Sequence, residues 1–322
     1  MRRNGPAVIG RLPDSPGVYR FRDDRGRVLY IGRATELRSR VGSYWSDLRD
    51  RDHLARMVAR IARIEAVCCD SVHEAAWLER NLLEASLPPW NKTPGGQESA
   101  VYIRMDTGPS ASGLSAVYHP EPADQVRYFG PYLGGLRVRQ AITALHRILP
   151  LSYAKAKLAG AEREMARARG VVAADRDRII SSLTAILDRQ PAVINWAVAE
   201  LEQLRGRAAD ELSYEFAALI QQEIAALDWI TSPQRASTMA DTDCTASGWS
   251  DGMLVQFKIR GGRVCAWSQR ACGQPVAAAA LAATPDEWSG FMKRNADLAA
   301  SLTELRTRPV VASPVLRSVS AR

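Results

Sequence analysis

Two short apolar runs, "PGVYRF" and "VLYIG", flank the polar stretch Arg22–Arg27 and read as a β-hairpin. With a turn at Asp23-Asp24-Arg25-Gly26, Arg22 pairs with Arg27 and Tyr19 stands directly opposite Tyr30. A three-residue loop would break that register. Helical periodicity follows. "TELRSRVGSYWSDL" puts Leu37, Val41 and Tyr44 on one face with Thr35 as cap, and "HLARMVARIARI" spaces Leu54, Met57, Val58 and Ile61 as an amphipathic helix. "IEAVCCD" is a third strand, and "SVHEAAWLERNLLEASL" a helix stopped at Pro88-Pro89.

Beyond the loops at Gly95-Gly96 and Asp106–Gly113, "VRYFGPYLGGLRVRQAITALHRILPL" predicts an aromatic Gly-Pro turn and a helix. Two helical regions follow, at about Tyr153–Leu187 and Val193–Leu227. "GMLVQFKIRGGRVCAWSQ" predicts a hairpin turned by Gly261-Gly262. The Ala-rich stretch past Gly273, ending "RPVVASPVLRSVSAR", is expected to be a loose tail.

Composition narrows the class. A chain of 322 residues, 46% hydrophobic and 24% charged, has room for two or three small domains. No apolar run reaches the roughly twenty residues of a membrane span, and no signal-peptide h-region follows the N-terminus, so a cytoplasmic location is expected. Five cysteines with neither CxxC nor zinc-type spacing read as reduced thiols. Charge is lopsided. Residues 1–63 hold fifteen arginines against seven acidic residues, an excess of +8 equal to that of the whole chain. Arg is preferred over Lys throughout, 38 to 5, but that preference does not explain the imbalance. A polyanion such as nucleic acid is the natural partner.

Candidate chemistry gathers in this basic segment. Facing tyrosines are ordinary sheet packing when taken alone. Arg40, however, lies one helical turn before Tyr44, at the border of its apolar stripe. Glu79 falls on the edge of a helix face otherwise destined for the core, where a carboxylate must be paired or bind a cation. Arg63 or Arg80 is the plain partner and a divalent metal the chemical one. Phenols, guanidinium and one acid together suit phosphodiester hydrolysis.

"GVY" with "YIG" ten residues on, "YIGRATELRSRVGSYW" and "EAAWLERNLLEASLPPWN" resemble the GIY-YIG endonuclease family. With "LPDSPGVYRFRD", "YFGPY" and "AADELSYEFAALIQQEI", the likeness extends to the N-terminal half of UvrC proteins over residues 12 to about 232. The resemblance implies that Tyr30 is the general base with Tyr19 beside it, that Arg40 stabilises phosphate charge, and that Tyr44 helps position it. It implies Glu79 as the single protein ligand of Mg²⁺ or Mn²⁺, Asn91 as the residue that orders the site, and Gly32 as the close approach for phosphate. Arg33 and Arg38 join Gly32 as phosphate- or DNA-binding residues. The implied partners are damaged double-stranded DNA and the excinuclease protein UvrB, with UvrA upstream and no membrane. "AADELSYEFAALIQQEI" resembles the UVR helical hairpin that docks UvrB, with Tyr214 where phenylalanine is usual and Gln221-Gln222 replacing Arg-Asp.

The sequence departs from the family in places. Arg33 stands where lysine usually follows "YIG", and it keeps the charge but cannot shed a proton. The segment after "FGPY" has none of the four cysteines of an iron–sulfur cluster, so no cluster is expected. "GMLVQFKIRGGRVCAWSQ" resembles the first strands of the family's second, ribonuclease H-like domain, with Asp286, Glu287 and Asp297 expected in solvent. The arrangement resembles the Cho-like short homologues that make only the 3′-side incision.

The expected fold class is α+β: a nuclease domain with a small three-stranded antiparallel sheet flanked by helices (1–97), a "YFGPY" extension (98–152), a mainly helical region with the UVR-like hairpin (153–235), and a remnant β-hairpin with a loose tail (236–322). Two competing functions are a non-catalytic DNA-binding accessory that docks UvrB, and a GIY-YIG nuclease of another pathway. Neither requires the whole set of motifs.

Overall fold

The computed structural model describes residues 7–46, 52–93, 98–109, 111 and 113–303. Its first unit contains β1 (Gly17–Arg22), β2 (Val28–Ala34), α1 (Leu37–Gly42), α2 (Asp52–Val58), β3 (Arg63–Cys68) and α3 (Val72–Ala85). The strands form an antiparallel sheet in the order β2-β1-β3. Apolar side chains on one face, Tyr19, Phe21 and Ala66, pack with Leu37, Val41, Tyr44 and Met57. Each fully buried Leu or Met contributes roughly 1.5–3 kcal/mol.

The expected register of the hairpin is wrong by two residues. Tyr19 pairs with Gly32, and Phe21 is the residue opposite Tyr30. The Asp23 N–H donates to the Arg27 carbonyl, so the loop holds three residues, with Gly26 at φ +78°. A bulge between Phe21 and Arg22 adds a further shift. The Asp23 carboxylate fixes the loop by accepting from the backbone N–H groups of Arg25 and Arg27 and from Arg27 Nε. Thr35 does not cap α1. Glu36 occupies the N-cap without a side-chain bond, and the helix ends at Gly42 in a 3₁₀ turn, Ser43–Trp45.

The second unit pairs β4 (Val101–Asp106), β5 (Leu114–Val117) and β6 (Val126–Tyr132) as β5-β4-β6, covered by α4 (Gly135–Ile148). The "YFGPY" segment is therefore strand, not turn: Phe129 and Tyr132 within it are buried. The helical stretch after it breaks into α5 (Gly160–Ala168) and α6 (Arg176–Leu187), followed by the antiparallel pair α7 (Pro191–Asp210) and α8 (Tyr214–Thr231). One apolar cluster joins this sheet to α4, α6, α7 and α8, so residues 101–231 share a core.

The third unit overturns the expectation of a loose tail. β7 (Cys244–Ser250), β8 (Met253–Arg260) and β9 (Arg263–Ala271) form a three-stranded sheet. The Gly261-Gly262 turn stands as expected, both glycines having positive φ and Arg260 pairing with Arg263. α9 (Gln274–Ala282) and α10 (Asp286–Thr303) then pack back. Trp288, Phe291, Met292 and Ala296 of α10 enter the cluster that holds Val18, Val67, Ala75 and Leu78 of the first unit. Asp286, Glu287 and Asp297 are exposed, as expected. The terminal "RPVVASPVLRSVSAR" and the boundary at residue 97 lie outside the described residues.

A buried ionic joint locks the first and third units. Arg20 and Glu65 are direct cross-strand partners on the sheet face away from Tyr19. Glu65 also binds Arg22 at 2.8 Å and pairs with Arg63. Arg20 reaches the Trp267 carbonyl of β9 at 2.6 Å and stacks on its indole. Periodicity alone does not foretell this joint, although a lone glutamate inside "RIEAVC" is its signal in the sequence.

Candidate active site

The bulge that shifts the hairpin leaves Tyr19, Phe21 and Tyr30 on one face, with Tyr19 and Tyr30 diagonal to one another. Their ring centroids lie 6.2 Å apart, and the 3₁₀ turn after α1 brings Tyr44 to 6.0 Å from each. Tyr19 Oη and Tyr44 Oη are hydrogen-bonded at 2.9 Å. Arg40, one turn before Tyr44, lies over its ring at 5.5 Å and acts electrostatically with Tyr19. The fold thus brings Tyr19, Tyr30, Arg40 and Tyr44 into one cluster. Tyr19 is fully buried, Tyr30 half-buried and Arg40 exposed.

Gly32 is required here for a reason the sequence did not suggest. A Cβ at this position would lie 2.6 Å from Tyr19 Oη and 2.7 Å from Tyr30 Cε1. The tyrosine rings, rather than open space for a phosphate, occupy its side-chain direction.

Glu79 comes from α3 to the same edge. Its partner is neither Arg63 nor Arg80, which bind Glu65 and Glu84. Instead one carboxylate oxygen accepts the Arg33 N–H at 3.1 Å, and the other lies 3.3 Å from Arg33 Nε. The Glu79 side chain is 20% exposed and that of Arg33 51%, so the pair opens to solvent. Burial pushes the Glu79 carboxyl up, while Arg33 and Arg40 pull it down. Asn91 clamps Ile31 through both of its backbone groups. Arg38 is drawn away from the cluster: it donates to the Leu12 carbonyl at 2.8 Å and to Asp14 at 2.6 Å.

The electrostatics centre on Tyr30. Burial raises its phenol well above the ordinary value, the neighbouring Tyr44 and the Glu79 carboxylate raise it further, and Arg40 lowers it. Glu79 therefore lies within electrostatic reach of the Tyr30 hydroxyl. Among the described residues no group of three or more His, Cys, Asp or Glu side chains could hold a metal. A lone carboxylate facing solvent still suits a hard divalent cation whose other positions are filled by water and phosphate oxygens.

A family profile for the UvrC-like GIY-YIG domain matches residues 15–92. UvrABC system protein C of Symbiobacterium thermophilum is 30% identical over 268 residues, covering 79% of this chain and 42% of that protein. The protein of the same name from Mycolicibacterium paratuberculosis is 31% identical over 273 residues, with the same coverage. The chain therefore spans 42% of the length of these relatives. Among solved structures, the GIY-YIG N-terminal endonuclease domain of Thermotoga maritima UvrC, bound to magnesium as its catalytic divalent cation, is 29% identical. That match covers 27% of this chain and 99% of that domain, with a TM-score of 0.24. A point mutant of the same domain, also bound to its catalytic divalent cation, is 27% identical over 28% of this chain and all of that domain, with a TM-score of 0.25. Residues 15–92 form a GIY-YIG domain similar to that of UvrC proteins.

Proposed function

We propose that the chain is a metal-dependent DNA endonuclease of nucleotide excision repair, making the incision 3′ to a lesion in the manner of the Cho-like homologues. The observation that carries this reading is the gathering of the Tyr19, Tyr30 and Tyr44 rings in one cluster with Arg40 over Tyr44, while Glu79 acts electrostatically on the Tyr30 phenol. Once ionised, Tyr30 takes a proton from the attacking water as the water oxygen bonds to phosphorus, the bond between phosphorus and the leaving sugar oxygen breaks, and that oxygen is protonated from solvent. Arg40 offsets charge on the phosphate, Tyr44 orients both other phenols, and Asn91 fixes β2. Arg33 binds phosphate once released from Glu79, and Gly32 seats the two rings. A Mg²⁺ or Mn²⁺ ion held by Glu79 supplies Lewis-acid charge stabilisation. Binding it there also cancels the carboxylate that now opposes ionisation of Tyr30.

The corner between α7 and α8 supports docking of UvrB. Leu212, Tyr214 and Leu219 are 71%, 65% and 53% exposed there, while Ile220, Ile224 and Leu227 bury the opposite face of α8. Gln222 accepts from Gln140 of α4 at 3.0 Å and Gln221 accepts from Arg205, so the exposed apolar residues rather than these two glutamines form the docking surface. The similarity to the relatives covers far more than the GIY-YIG unit, which favours this pathway over that of a free-standing nuclease. The test is incubation of the protein and Mg²⁺ with a lesion-bearing duplex, with and without UvrA and UvrB. A nick 3′ to the lesion that depends on both proteins is expected. Equal nicking of undamaged DNA without them would assign the chain to another pathway.

A further inference from the structure

A cleft of about 1340 Å³ opens where the GIY-YIG unit meets the helical module. His73, in the first turn of α3, lines it and is 1% exposed. Its Nε2 accepts from the Trp77 indole N–H at 3.1 Å and from the Leu133 backbone N–H at 3.4 Å. Both partners are donors, so Nε2 carries the lone pair and the imidazole proton sits on Nδ1. That Nδ1–H is buried and has no hydrogen-bond partner among the described residues. Buried donors are nearly always satisfied, so this one calls for an acceptor.

The surroundings specify the acceptor's charge. Trp229 and Tyr132 pack beside the imidazole and against each other, with ring centroids 4.2 and 5.8 Å from it and 6.1 Å apart. The charges acting on it are Arg189 and Arg137, which with burial push it down to about 3, so it stays a neutral donor at physiological pH. Arg137 is exposed and stacks on Trp229 at 5.3 Å. Arg189 donates to the Gln234 carbonyl at 3.3 Å. Of the acids lining the cleft, Asp70 is taken up by Arg235 and Arg294, while Asp228 and Glu287 are exposed. A fixed N–H donor flanked by two guanidiniums suits a phosphoryl oxygen.

The cleft also lies close to the catalytic cluster. His73 precedes Glu79 by six residues of α3, about 9 Å along the axis, and Thr35 at its edge is two residues beyond Arg33. The axial part of that offset is about two or three base-pair steps along one strand, and six residues also set the two side chains about 120° apart around α3. We infer that the cleft is a second phosphate subsite, where His73 Nδ1–H, Arg137 and Arg189 hold a DNA backbone phosphate flanking the scissile one. The inference rests on the endonuclease reading.

The test uses the full chain in EDTA and the anisotropy of a labelled duplex over a salt series. Arg137→Ala should weaken binding about tenfold and lower the slope of log K against log salt by about one. His73→Gln keeps an acceptor for Trp77 but lacks the Nδ1–H, so it should weaken binding several-fold with no change of slope. Arg178→Ala, on exposed α6, should change neither. Unchanged affinity and slope in Arg137→Ala overturn the inference, as does unchanged affinity in a folded His73→Gln. If His73→Gln misfolds, Arg137→Ala decides alone, because its side chain is exposed. Titration with inorganic phosphate separates the two sources: saturable binding of phosphate at His73 with a normal DNA slope in Arg137→Ala would make this a free-phosphate site and overturn the DNA assignment. Nicking measured in parallel keeps the two readings apart. Loss of nicking with the binding pattern intact counts against the endonuclease alone, and the reverse counts against the subsite alone.

Discussion

Asn91 holds Ile31 from both sides: its Oδ1 accepts the Ile31 N–H at 3.0 Å and its Nδ2 donates to the Ile31 carbonyl at 2.8 Å. Ile31 lies between Tyr30 and Gly32, so this side chain acts as an extra rung on the edge of β2. Asn91→Ala leaves both backbone groups unpaired, and about 1–3 kcal/mol of stability should be lost in denaturant titration. Nicking should fall at least tenfold with DNA affinity retained, as the phenol loses its fixed direction.

Tyr30→Phe, Arg40→Ala and Glu79→Gln should each lower the nicking rate by roughly 10²–10⁴. DNA binding measured in EDTA should stay within about threefold, since each removes at most one charge from a strongly basic segment. Chelation should silence the wild type as well. A Glu79→Gln enzyme that still nicks in EDTA would disprove the role of the metal.

Alkaline pH should have opposite effects on rate and stability. Because burial and Glu79 raise Tyr30, its phenolate fraction grows tenfold per pH unit below its folded pKa. The nicking rate should therefore climb with that slope between about pH 7 and 9. Tyr19 is raised as well, chiefly by burial. Both folded pKa values exceed the unfolded value of about 10, so the stability they contribute is complete below that pH and is lost as pH rises above it. Thermal melts should show an alkaline loss that Tyr19→Phe reduces.

Gly32→Ala places a methyl against Tyr19 Oη and Tyr30 Cε1. The rings must shift, at a cost of about 1–3 kcal/mol. Unlike Tyr30→Phe, this variant keeps every polar group, so a large drop in nicking alongside a lowered melting temperature would trace the defect to ring placement.

Glu65→Gln should leave Arg20 buried beside a neutral partner and destabilise the chain by about 3–5 kcal/mol. Burial raises the Glu65 carboxyl, but Arg20, Arg22 and Arg63 lower it more, so its net shift is downward. Its contribution is present above the unfolded value of roughly 4.3 and is lost as pH falls through the folded one. Acid should therefore loosen the third unit from the first, which an increase in Trp267 or Trp288 emission would report.

The elements of the GIY-YIG unit, its three strands and the α3 helix, are legible in the sequence because local periodicity and strong punctuation, Ser71 at one end and Pro88-Pro89 at the other, determine them. The glycine turn of β8 and β9 is legible for the same reason. So are the chemical types at the site, since two phenols, an arginine and an off-pattern glutamate stand out against a simple apolar pattern. Pairing across the hairpin was not legible. A three-residue loop and a single bulge move Phe21, not Tyr19, opposite Tyr30, and hydrogen bonding of the whole ladder decides this, not any one residue.

The partner of Glu79 and the order in the C-terminal segment depend on contacts far apart in the chain. Arg33 meets Glu79 across 46 residues, and Asn295 of α10 meets Cys68 across 227. An alanine-rich stretch has little pattern of its own, and it becomes helix once Trp288, Phe291 and Met292 find an apolar sheet face to cover. Sequence determined which groups exist and which local elements carry them. Tertiary structure decided which groups meet, because burial and ion pairing act between segments whose separation along the chain carries no information about their separation in space.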